Sequence, residues 1–512
     1  MSFSSQASRI ALFFAALTVL FSSMCGATDW PQFGFDSRHS GNNTSESAIT
    51  IANVHTLVQV YAVPLPTVSL AAPVFLERVN TAAGLKDVLF IETLDGRILA
   101  IDASNGGLLW SKQPTVVSGR FGPTSESVTP AIDPGRQFVY AYGLDGRIHK
   151  YAVTDGAEDE HAPWPIVSSL KPDVEHGSSA ITIGTAANGP SYLYMVMNGY
   201  NGDGGDYQGH LTTVNLANGT STVFNANCSE LPIHFVENGT FGIDDCATTK
   251  SGIWGRPGAV FDSDTARVFI ATANGSYDAN VGGHNWGDSL LALPVDGGAD
   301  SSGTPLDSYT PTEFMILDFS DSDFGSGALA ILPTPLTSKY AHLGVMMGKD
   351  NLIRLLNLDD LSGNHGPRFV GGELQIIGNS MAYDLATPQA SVWVNTRRDG
   401  STWIFEAPYG RLIGLQLIAD DLGNPSLIQR WVSHSAGTSS SSAVANGVLF
   451  ANGLNSLQAF DPETGSILWS APNNSFCCGW GSPIVINGRV FANGNGILTM
   501  YALDQIFAND FD

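Results

Sequence analysis

The sequence predicts an all-β protein that folds as an eight-bladed β-propeller. The first observation is a repeated unit of strand, tight turn and strand, with clear copies beginning at Val88, Phe138, Val448 and Val490. In these copies alternating apolar residues flank Asp-Gly, Asn-Gly or Asn-Ser turns, which is the pattern of a β-hairpin. The second observation is the spacing of the copies. The interval from Val88 to Val139 is 51 residues and that from Val448 to Val490 is 42, and such periods are typical of four-stranded propeller blades.

Weaker copies complete the ring. They begin at Tyr192, Val268, Leu343 and Ser401 and raise the number of copies to eight. No long segment of the chain has helical periodicity. The segment NVHTLVQVYAVPL, from Asn53 to Leu65, is a strand without a hairpin partner, whereas the last copy ends near Asp504 without an outer strand. Pairing these two segments would close the ring and remove the unpaired edges that an open sheet exposes.

The amino terminus, residues 1–27, has the layout of a secretory signal peptide. A single arginine precedes the apolar run Ile10–Phe21, and small residues end at Ala27. We therefore expect cleavage after Ala27 and a single propeller over residues 28–512, in the periplasm or secreted. The apolar run is too short to span a membrane comfortably, and no later run approaches eighteen apolar residues. A lipid-anchored Cys25 is the alternative.

Residues 505–512 form a short tail after the last predicted strand. This tail, QIFANDFD, alternates apolar and acidic residues. It resembles a terminal signature found on many secreted proteins of Gram-negative bacteria, and the alternative is a frayed end.

The charge and the absent motifs exclude several classes of function. The chain has 23 Lys and Arg against 48 Asp and Glu, a net charge of -25, which excludes nucleic acid and anionic membranes as expected partners. No complete phosphate loop, His-Glu-x-x-His or Gly-x-Ser-x-Gly motif is present. The sequence therefore disfavours a nucleotide enzyme, a zinc protease and a serine hydrolase.

The cysteine count predicts disulfides. Once Cys25 leaves with the signal peptide, four cysteines remain in an exported chain, and an even number in an oxidising compartment favours pairing. We expect one disulfide between Cys228 and Cys246 and a second between the neighbours Cys477 and Cys478.

A repeated Asp and Trp pair carries a family resemblance. Asp102 and Trp110 are eight residues apart, as are Asp461 and Trp469. In this the sequence resembles the pyrroloquinoline-quinone-repeat propellers, whose Ala-x-Asp-x-x-x-Gly-x-x-x-Trp unit docks one blade on the next. The stretch DWPQFGFDSRHSGNN is similar to mature amino termini in that superfamily. The superfamily includes quinoprotein alcohol dehydrogenases and non-enzymatic assembly scaffolds resembling BamB, so the fold alone does not decide the function.

The resemblance implies a quinone floor and a calcium ligand in the stretch GIWGRPGAVFDSDTARVFIATANGSYD. On that match Trp254 lies beneath the quinone and Asn274 binds calcium. A flat indole stacks on a flat cofactor, and an amide oxygen suits a hard cation. The alternative is that Trp254 packs between blades and Asn274 is a turn residue.

A catalytic base and a cationic contact are implied further along the chain. Asp318, Asp321 and Asp323 match the Asp-x-x-Asp-x-Asp run of quinoprotein dehydrogenases, in which Asp318 takes the place of the catalytic base and could also contact the metal. Three carboxylates this close repel one another unless they are solvated or hold a cation, so a solvated loop or a structural calcium loop is the alternative. Lys349 takes the place of the basic residue that reaches the quinone oxygens.

Two further matches are incomplete. Where the family has a calcium-ligating Glu, the stretch NGYNGDGGDYQG offers only Asp203 and Asp206, and we assign Asp206 to the metal. Cys477 and Cys478 precede an inner strand, as does the adjacent cysteine pair that covers the quinone in the family. Here, however, the pair belongs to the last blade and not to an early one.

The sequence thus leaves two hypotheses. The first is an exported quinoprotein-like dehydrogenase that oxidises an alcohol or sugar with pyrroloquinoline quinone and calcium. Because no Cys-x-x-Cys-His haem motif is present, it would need a separate electron acceptor. The second is a non-enzymatic propeller, an assembly factor or binding scaffold for a protein partner. The altered calcium acid, the displaced cysteines and a chain shorter than typical quinoprotein dehydrogenases support the second.

Overall fold

The computed structural model describes residues 28–117, 127–200, 203–237, 246–333, 335, 337–362, 372–378, 390–407, 411–434, 440–452, 456–472 and 481–504. This part of the chain contains 34 strands. Those of the first half are β1 (Asn42–Asn43), β2 (Leu57–Pro64), β3 (Val74–Thr81), β4 (Gly84–Glu92), β5 (Ile98–Asp102), β6 (Leu108–Lys112), β7 (Ala131–Ile132), β8 (Phe138–Gly143), β9 (Arg147–Ala152), β10 (Ile166–Val167), β11 (Glu175–His176), β12 (Thr182–Thr185), β13 (Ser191–Gly199), β14 (His210–Asn215) and β15 (Ser221–Asn225).

The second half continues the same short strands. They are β16 (Val260–Asp262), β17 (Arg267–Ala271), β18 (Leu290–Pro294), β19 (Asp307–Tyr309), β20 (Ala330–Leu332), β21 (Leu343–Met347), β22 (Ile353–Asn357), β23 (Glu373–Ile377), β24 (Ser391–Val394), β25 (Thr402–Glu406), β26 (Leu412–Ala419), β27 (Pro425–Ser433), β28 (Ala443–Ala445), β29 (Val448–Asn452), β30 (Ser456–Phe460), β31 (Ile467–Pro472), β32 (Ile484–Ile486), β33 (Arg489–Gly494) and β34 (Ile497–Leu503).

These strands form eight sheets, which confirms the predicted propeller. Blades 1 to 6 are β3–β6, β7–β10, β11–β15, β16–β19, β20–β23 and β24–β27; blade 7 is β28–β31 with β1, and blade 8 is β32–β34 with β2. The predicted ring closure is also confirmed. β2 pairs antiparallel with β34, from Leu57 opposite Leu503 to Pro64 opposite Ile497.

Helical segments are few and short in the described residues. The α-helix α1 (Phe314–Ser320) and a 3-10 helix (Phe324–Ser326) connect blade 4 to blade 5; two other 3-10 helices span Val54–Thr56 and Ala279–Val281. No helix in this part of the chain is long and apolar enough to cross a membrane.

The Asp-Gly turns form the hairpins that the sequence predicts. Gly96 joins β4 to β5 with φ +72°, and Gly146 joins β8 to β9 with φ +81°. Both glycines adopt the left-handed conformation, which a residue without Cβ reaches at little cost. These turns fix the strand register, so each blade buries one consistent set of apolar side chains.

Tryptophan side chains dock one blade on the next, as the resemblance implies. Trp110 of blade 1 donates from Nε1 to the carbonyl oxygen of Val153 in blade 2 at 3.2 Å. Trp469 of blade 7 donates in the same way to Leu57 of β2 at 3.0 Å. Each indole thus covers apolar surface between two sheets while its buried N–H keeps a partner.

The inner strands of the eight blades are β3, β7, β12, β16, β20, β24, β28 and β32. Neighbouring inner strands contact one another around the ring, for example β12 with β16 and β28 with β32. In each blade the inner strand leads into an antiparallel second strand, so all inner strands begin at one end of the central channel. We call that end the open end, and we call the end at which the inner strands finish the closed end.

An amino-terminal segment, Trp30–Asn43, fills the channel towards the closed end, and we call it the axial plug. Hydrogen bonds connect the plug to seven of the eight blades in the described structure. The Pro31 carbonyl accepts from Ile132 of β7, the Ser37 carbonyl from Phe261 of β16, and the Gly41 carbonyl from Val444 of β28. One chain segment therefore holds together blades that are distant in sequence.

His39 is an enclosed polar side chain of the plug, with 1% of its surface exposed. Its Nδ1 donates to the Phe33 carbonyl at 2.5 Å. Its Nε2 lies 2.8 Å from the Thr182 hydroxyl and 3.1 Å from the Ala259 carbonyl, in blade 3 and before blade 4. Burial lowers the pKa of His39, although the Phe33 carbonyl and Asp36 oppose that effect.

Candidate functional site

The open end of blades 4 and 5 brings together five side chains from separate segments, which we call the candidate site. Trp254 lies in the segment that leads into β16, and Asn274 follows β17. Asp321 and Asp323 lie between α1 and β20, and Lys349 follows β21. A segment that enters an inner strand and one that leaves a second strand lie at the same end of a blade. The repeated blade topology therefore gathers these residues.

Asn274 connects the two aspartates. Its main-chain N–H donates to Asp323 Oδ1 at 3.0 Å, and its side-chain Nδ2 donates to Asp321 Oδ1 at 2.9 Å. Because the side-chain amide is planar, the bond from Nδ2 to Asp321 also orients the side-chain oxygen Oδ1. That oxygen is buried and has no hydrogen-bond partner in the described structure.

Lys349 supplies the positive charge of the site. Its ammonium forms an ion pair with Asp323 Oδ2 and lies 3.5 Å from Asp321 Oδ1. The same ammonium lies 5.1 Å from the ring centroid of Trp254, within the range of a cation–π contact. The side chains of Lys349 and Asp323 are only 14% and 7% exposed, whereas that of Asp321 is 76% exposed.

Burial and charge set the ionisation of this pair. Burial raises the pKa of Asp323, and the Lys349 ammonium opposes that shift. For Lys349, burial lowers the pKa, but the carboxylates of Asp323 and Asp321 outweigh it and leave the pKa raised. Lys349 therefore keeps its charge in a largely dry environment because carboxylates surround it.

Asp288 is a third buried carboxyl beside the site, and the sequence did not indicate it. Its main-chain N–H donates to the Ala273 carbonyl at 3.0 Å, and its Oδ1 accepts from the Phe324 N–H at 2.9 Å. Burial raises the pKa of Asp288 well above its usual range; the Phe324 N–H opposes the shift, and the charge of Asp323 adds to it. Asp288 therefore connects two segments: its side chain bonds to the turn after Asp323, and its main chain bonds to the residue before Asn274.

Two buried acceptors give the site a capacity for a cation. Among the residues that the structure describes, Asn274 Oδ1 and Asp288 Oδ2 are both buried without a hydrogen-bond partner, and amide and carboxyl oxygens are the ligands that Ca²⁺ takes. Within the described ranges, no three His, Cys, Asp or Glu side chains are arranged to hold a metal ion. A cation here would therefore need further oxygens from a bound cofactor or substrate.

The structure separates two sequence-predicted residues from this cluster. Asp318 lies on the exposed side of α1, although its charge is close enough to raise the pKa of Asp288. Asp206 bonds within blade 3. Its Oδ2 lies 3.6 Å from Lys171 Nζ, and its Oδ1 accepts from Gln208 Nε2 at 3.1 Å. The carboxylates that contact Asn274 are those of Asp321 and Asp323.

The disulfide between Cys228 and Cys246 is present, as predicted. It closes a segment beside the site. Asn227, next to Cys228, donates from Nδ2 to the Lys250 carbonyl at 3.0 Å, and the following residue, Ser251, donates from its main-chain N–H to the Asn274 carbonyl at 2.7 Å.

The predicted Cys477–Cys478 disulfide, the signal peptide and the tail 505–512 lie outside the described residues.

No protein-family model matches the chain, and no curated protein matches it significantly. Solved structures match over most of its length. A quinohemoprotein alcohol dehydrogenase from Pseudomonas putida HK5 is 14% identical with a TM-score of 0.62, over 93% of this chain and 80% of that one. The quinohemoprotein alcohol dehydrogenase from Comamonas testosteroni is 15% identical with a TM-score of 0.61, over 93% and 80%. A europium-containing methanol dehydrogenase is 14% identical with a TM-score of 0.62, over 93% and 98%.

These likenesses concern the fold. The chain has the propeller fold of the quinoprotein alcohol and methanol dehydrogenases, and the resemblance expected from the sequence is confirmed at that level. At identities this low, function has to be argued from the side chains of the site.

Proposed function

We propose that this chain is an exported quinoprotein-like dehydrogenase that oxidises an alcohol or sugar with pyrroloquinoline quinone and calcium. The observation that carries the proposal is the convergence of Trp254, Asn274 and Lys349, three residues assigned separately from sequence, on one carboxylate pair at the open end. Their side chains are chemically complementary to a flat, anionic quinone bound with a cation. The cluster offers an aromatic face, a buried amide oxygen that no described residue bonds, and a cation.

A bound quinone would supply the acceptor for the hydride equivalent that leaves the substrate carbon, and calcium would polarise its carbonyl. The indole face of Trp254 would support the quinone ring. Asn274 would offer Oδ1 to the cation, with Nδ2 still bonded to Asp321. Lys349 now lies over the indole, and it would move aside and contact the quinone oxygens.

The proton of the substrate hydroxyl needs a base, and the geometry favours Asp321. Its side chain is 76% exposed and its Oδ1 accepts from Asn274 Nδ2, so one oxygen is oriented while the group remains accessible to substrate. Asp323 suits this role less well because it is buried and paired with Lys349. Asp318, the base implied by sequence position, lies on α1 outside these contacts.

Cofactor binding is tested by titrating the purified protein with pyrroloquinoline quinone, with and without excess calcium. Tryptophan fluorescence and the quinone absorption band give the readouts. We expect stoichiometric binding at micromolar concentration that requires calcium. Asn274→Ala and Lys349→Met should each weaken it at least about 10-fold, while Asn218→Ala, an exposed amide in blade 3, should leave it unchanged. Failure of the wild-type protein to bind quinone would end the dehydrogenase proposal.

The base is identified with two matched substitutions in the protein loaded with quinone and calcium. Asp321→Asn should lower dye-linked alcohol oxidation by about 100-fold or more with quinone binding retained. Asp318→Asn should have little effect. The reverse result would return the role to Asp318.

A binding scaffold is the second candidate, and one observation favours it. Lys349 and Asp323 already neutralise each other, and the ammonium covers the indole face that a quinone would occupy. In a scaffold this cluster would stabilise the contact between blades 4 and 5. The quinone titration separates the two candidates, since a scaffold would bind no cofactor.

A further inference from the structure

The helix α1 exposes an apolar surface at the open end. Met315, Ile316 and Phe319 are 70%, 64% and 92% exposed, and Val281 on the adjoining loop of blade 4 is 81% exposed. We call these four side chains the rim patch. Single exposed apolar residues are ordinary on protein surfaces, but three large ones on one seven-residue helix, with a fourth on the loop that packs against that helix, are typical of an interaction site.

The rim patch is held firmly in place. Leu317, on the opposite side of α1, is 5% exposed and belongs to the core of blades 4 and 5. Phe314 packs edge-on against Tyr277 with ring centroids 4.9 Å apart, and Tyr277 lies in the same loop as Val281. Exposure of the patch is therefore a consequence of how α1 is anchored on its other side.

Acidic side chains lie on the same stretch of chain as the patch. Glu313, Asp318 and Asp321 are exposed on the same nine-residue stretch, which contains no Lys or Arg. The chain as a whole carries a net charge of -25. A second copy of this chain would bring like charge to the contact, and an anionic bilayer would be repelled. An apolar face bordered by basic residues would be complementary in both shape and charge.

We propose that the rim patch docks a protein partner through an amphipathic segment whose apolar face is flanked by Lys and Arg. The segment would lay its apolar side chains across α1, with its basic residues against Glu313 and Asp318. Because α1 leads directly to Asp321 and Asp323, a docked partner would sit beside the entrance of the candidate site. This proposal does not depend on the dehydrogenase activity.

A short fluorescein-labelled peptide with Leu and Lys at amphipathic helical spacing serves as the probe, and anisotropy measures its binding. A peptide of the same composition in scrambled order is the reference. We expect micromolar binding of the amphipathic peptide, weakened at least about 10-fold by Met315→Ser combined with Phe319→Ser. Glu313→Gln combined with Asp318→Asn should weaken it and reduce its dependence on salt.

Matched controls come from elsewhere on the surface. Leu422 is 80% exposed in a hairpin of blade 6, and Asp399 lies on an exposed turn of the same blade; Leu422→Ser and Asp399→Asn should leave peptide binding unchanged. Thermal melts confirm that all variants fold.

Three results would overturn the proposal. They are equal binding of the scrambled peptide, binding insensitive to the two patch substitutions, and self-association or binding to zwitterionic vesicles that those same substitutions abolish. The last result would assign the patch to a second copy or to a lipid surface.

Discussion

The two ends of the central channel differ in what their polar groups bind. At the closed end, the axial plug bonds mainly to main-chain atoms of inner strands, as Pro31, Ser37 and Gly41 do. At the open end, charged side chains from neighbouring blades bond to one another. Both ends leave buried side-chain atoms without a hydrogen-bond partner in the described part of the chain, but of different kinds: the nitrogens Trp30 Nε1 and Arg38 Nε in the plug, and the oxygens Asn274 Oδ1 and Asp288 Oδ2 at the open end. Unpaired buried polar atoms are costly, and only the oxygens of the open end are atoms that a cation binds.

The first prediction tests the closed end and carries the largest effect. His39→Ala should lower the free energy of unfolding by about 3 kcal/mol, because it opens a cavity and leaves the buried Phe33 carbonyl without its donor. Urea denaturation measures the change. His161→Ala is the control, since that side chain is 98% exposed, and it should change stability by less than about 0.5 kcal/mol. Equal effects of the two substitutions would mean that the contacts of His39 in the plug do not stabilise the fold.

The second prediction tests the ion pair at the open end. Lys349→Met should lower the free energy of unfolding by about 2 kcal/mol, because it leaves the buried carboxylate of Asp323 without its cation. Adding Asp323→Asn should recover most of that loss, to within about 1 kcal/mol of the wild type, since no unpaired charge then remains. The double-mutant cycle is measured by urea denaturation. Additive losses would show that the pair is not coupled.

The third prediction concerns pH at the closed end and is the smallest effect. Burial lowers the pKa of His39 in the folded protein, whereas a histidine in an unfolded chain has a pKa of about 6.5. The folded state therefore binds fewer protons, so the contribution of His39 is fully present above about pH 6.5 and declines as the pH falls below it. Between pH 7.5 and 5.5 the wild type should lose about 1 kcal/mol more than His39→Gln. Parallel losses in the two proteins would contradict this assignment.

The blades could be predicted because they follow from local chemistry, whereas the plug could not. Period-2 strands and Asp-Gly turns are visible in the sequence, and the unpaired strand β2 indicated the closure. The segment Trp30–Asn43 has no such periodicity. Its contacts reach partners more than 200 residues away, for example from Ser37 to Phe261 and from Asn43 to Val485. Only the three-dimensional arrangement reveals them.

The candidate site was predicted in part, for a related reason. Trp254, Asn274 and Lys349 each lie next to a recognisable strand, so the repeat fixes their position. Asp318, Asp321 and Asp323 are closely spaced, and the sequence contains no signal that distinguishes them. The short helix α1 separates them by placing Asp318 towards solvent, while the left-handed residue Asp321 (φ +54°) ends the helix and turns the chain to Asn274.

The pairing of β2 with β34 also determines when the fold can be completed. Blade 8 takes one strand from near the beginning of the chain and three from its end, and the plug needs β28 and β32 as well. During synthesis, the early segment has to wait for residues 484–503 before its last partners exist. A nascent chain of this kind therefore keeps blade 8 and the plug incomplete until residue 503 has been synthesised.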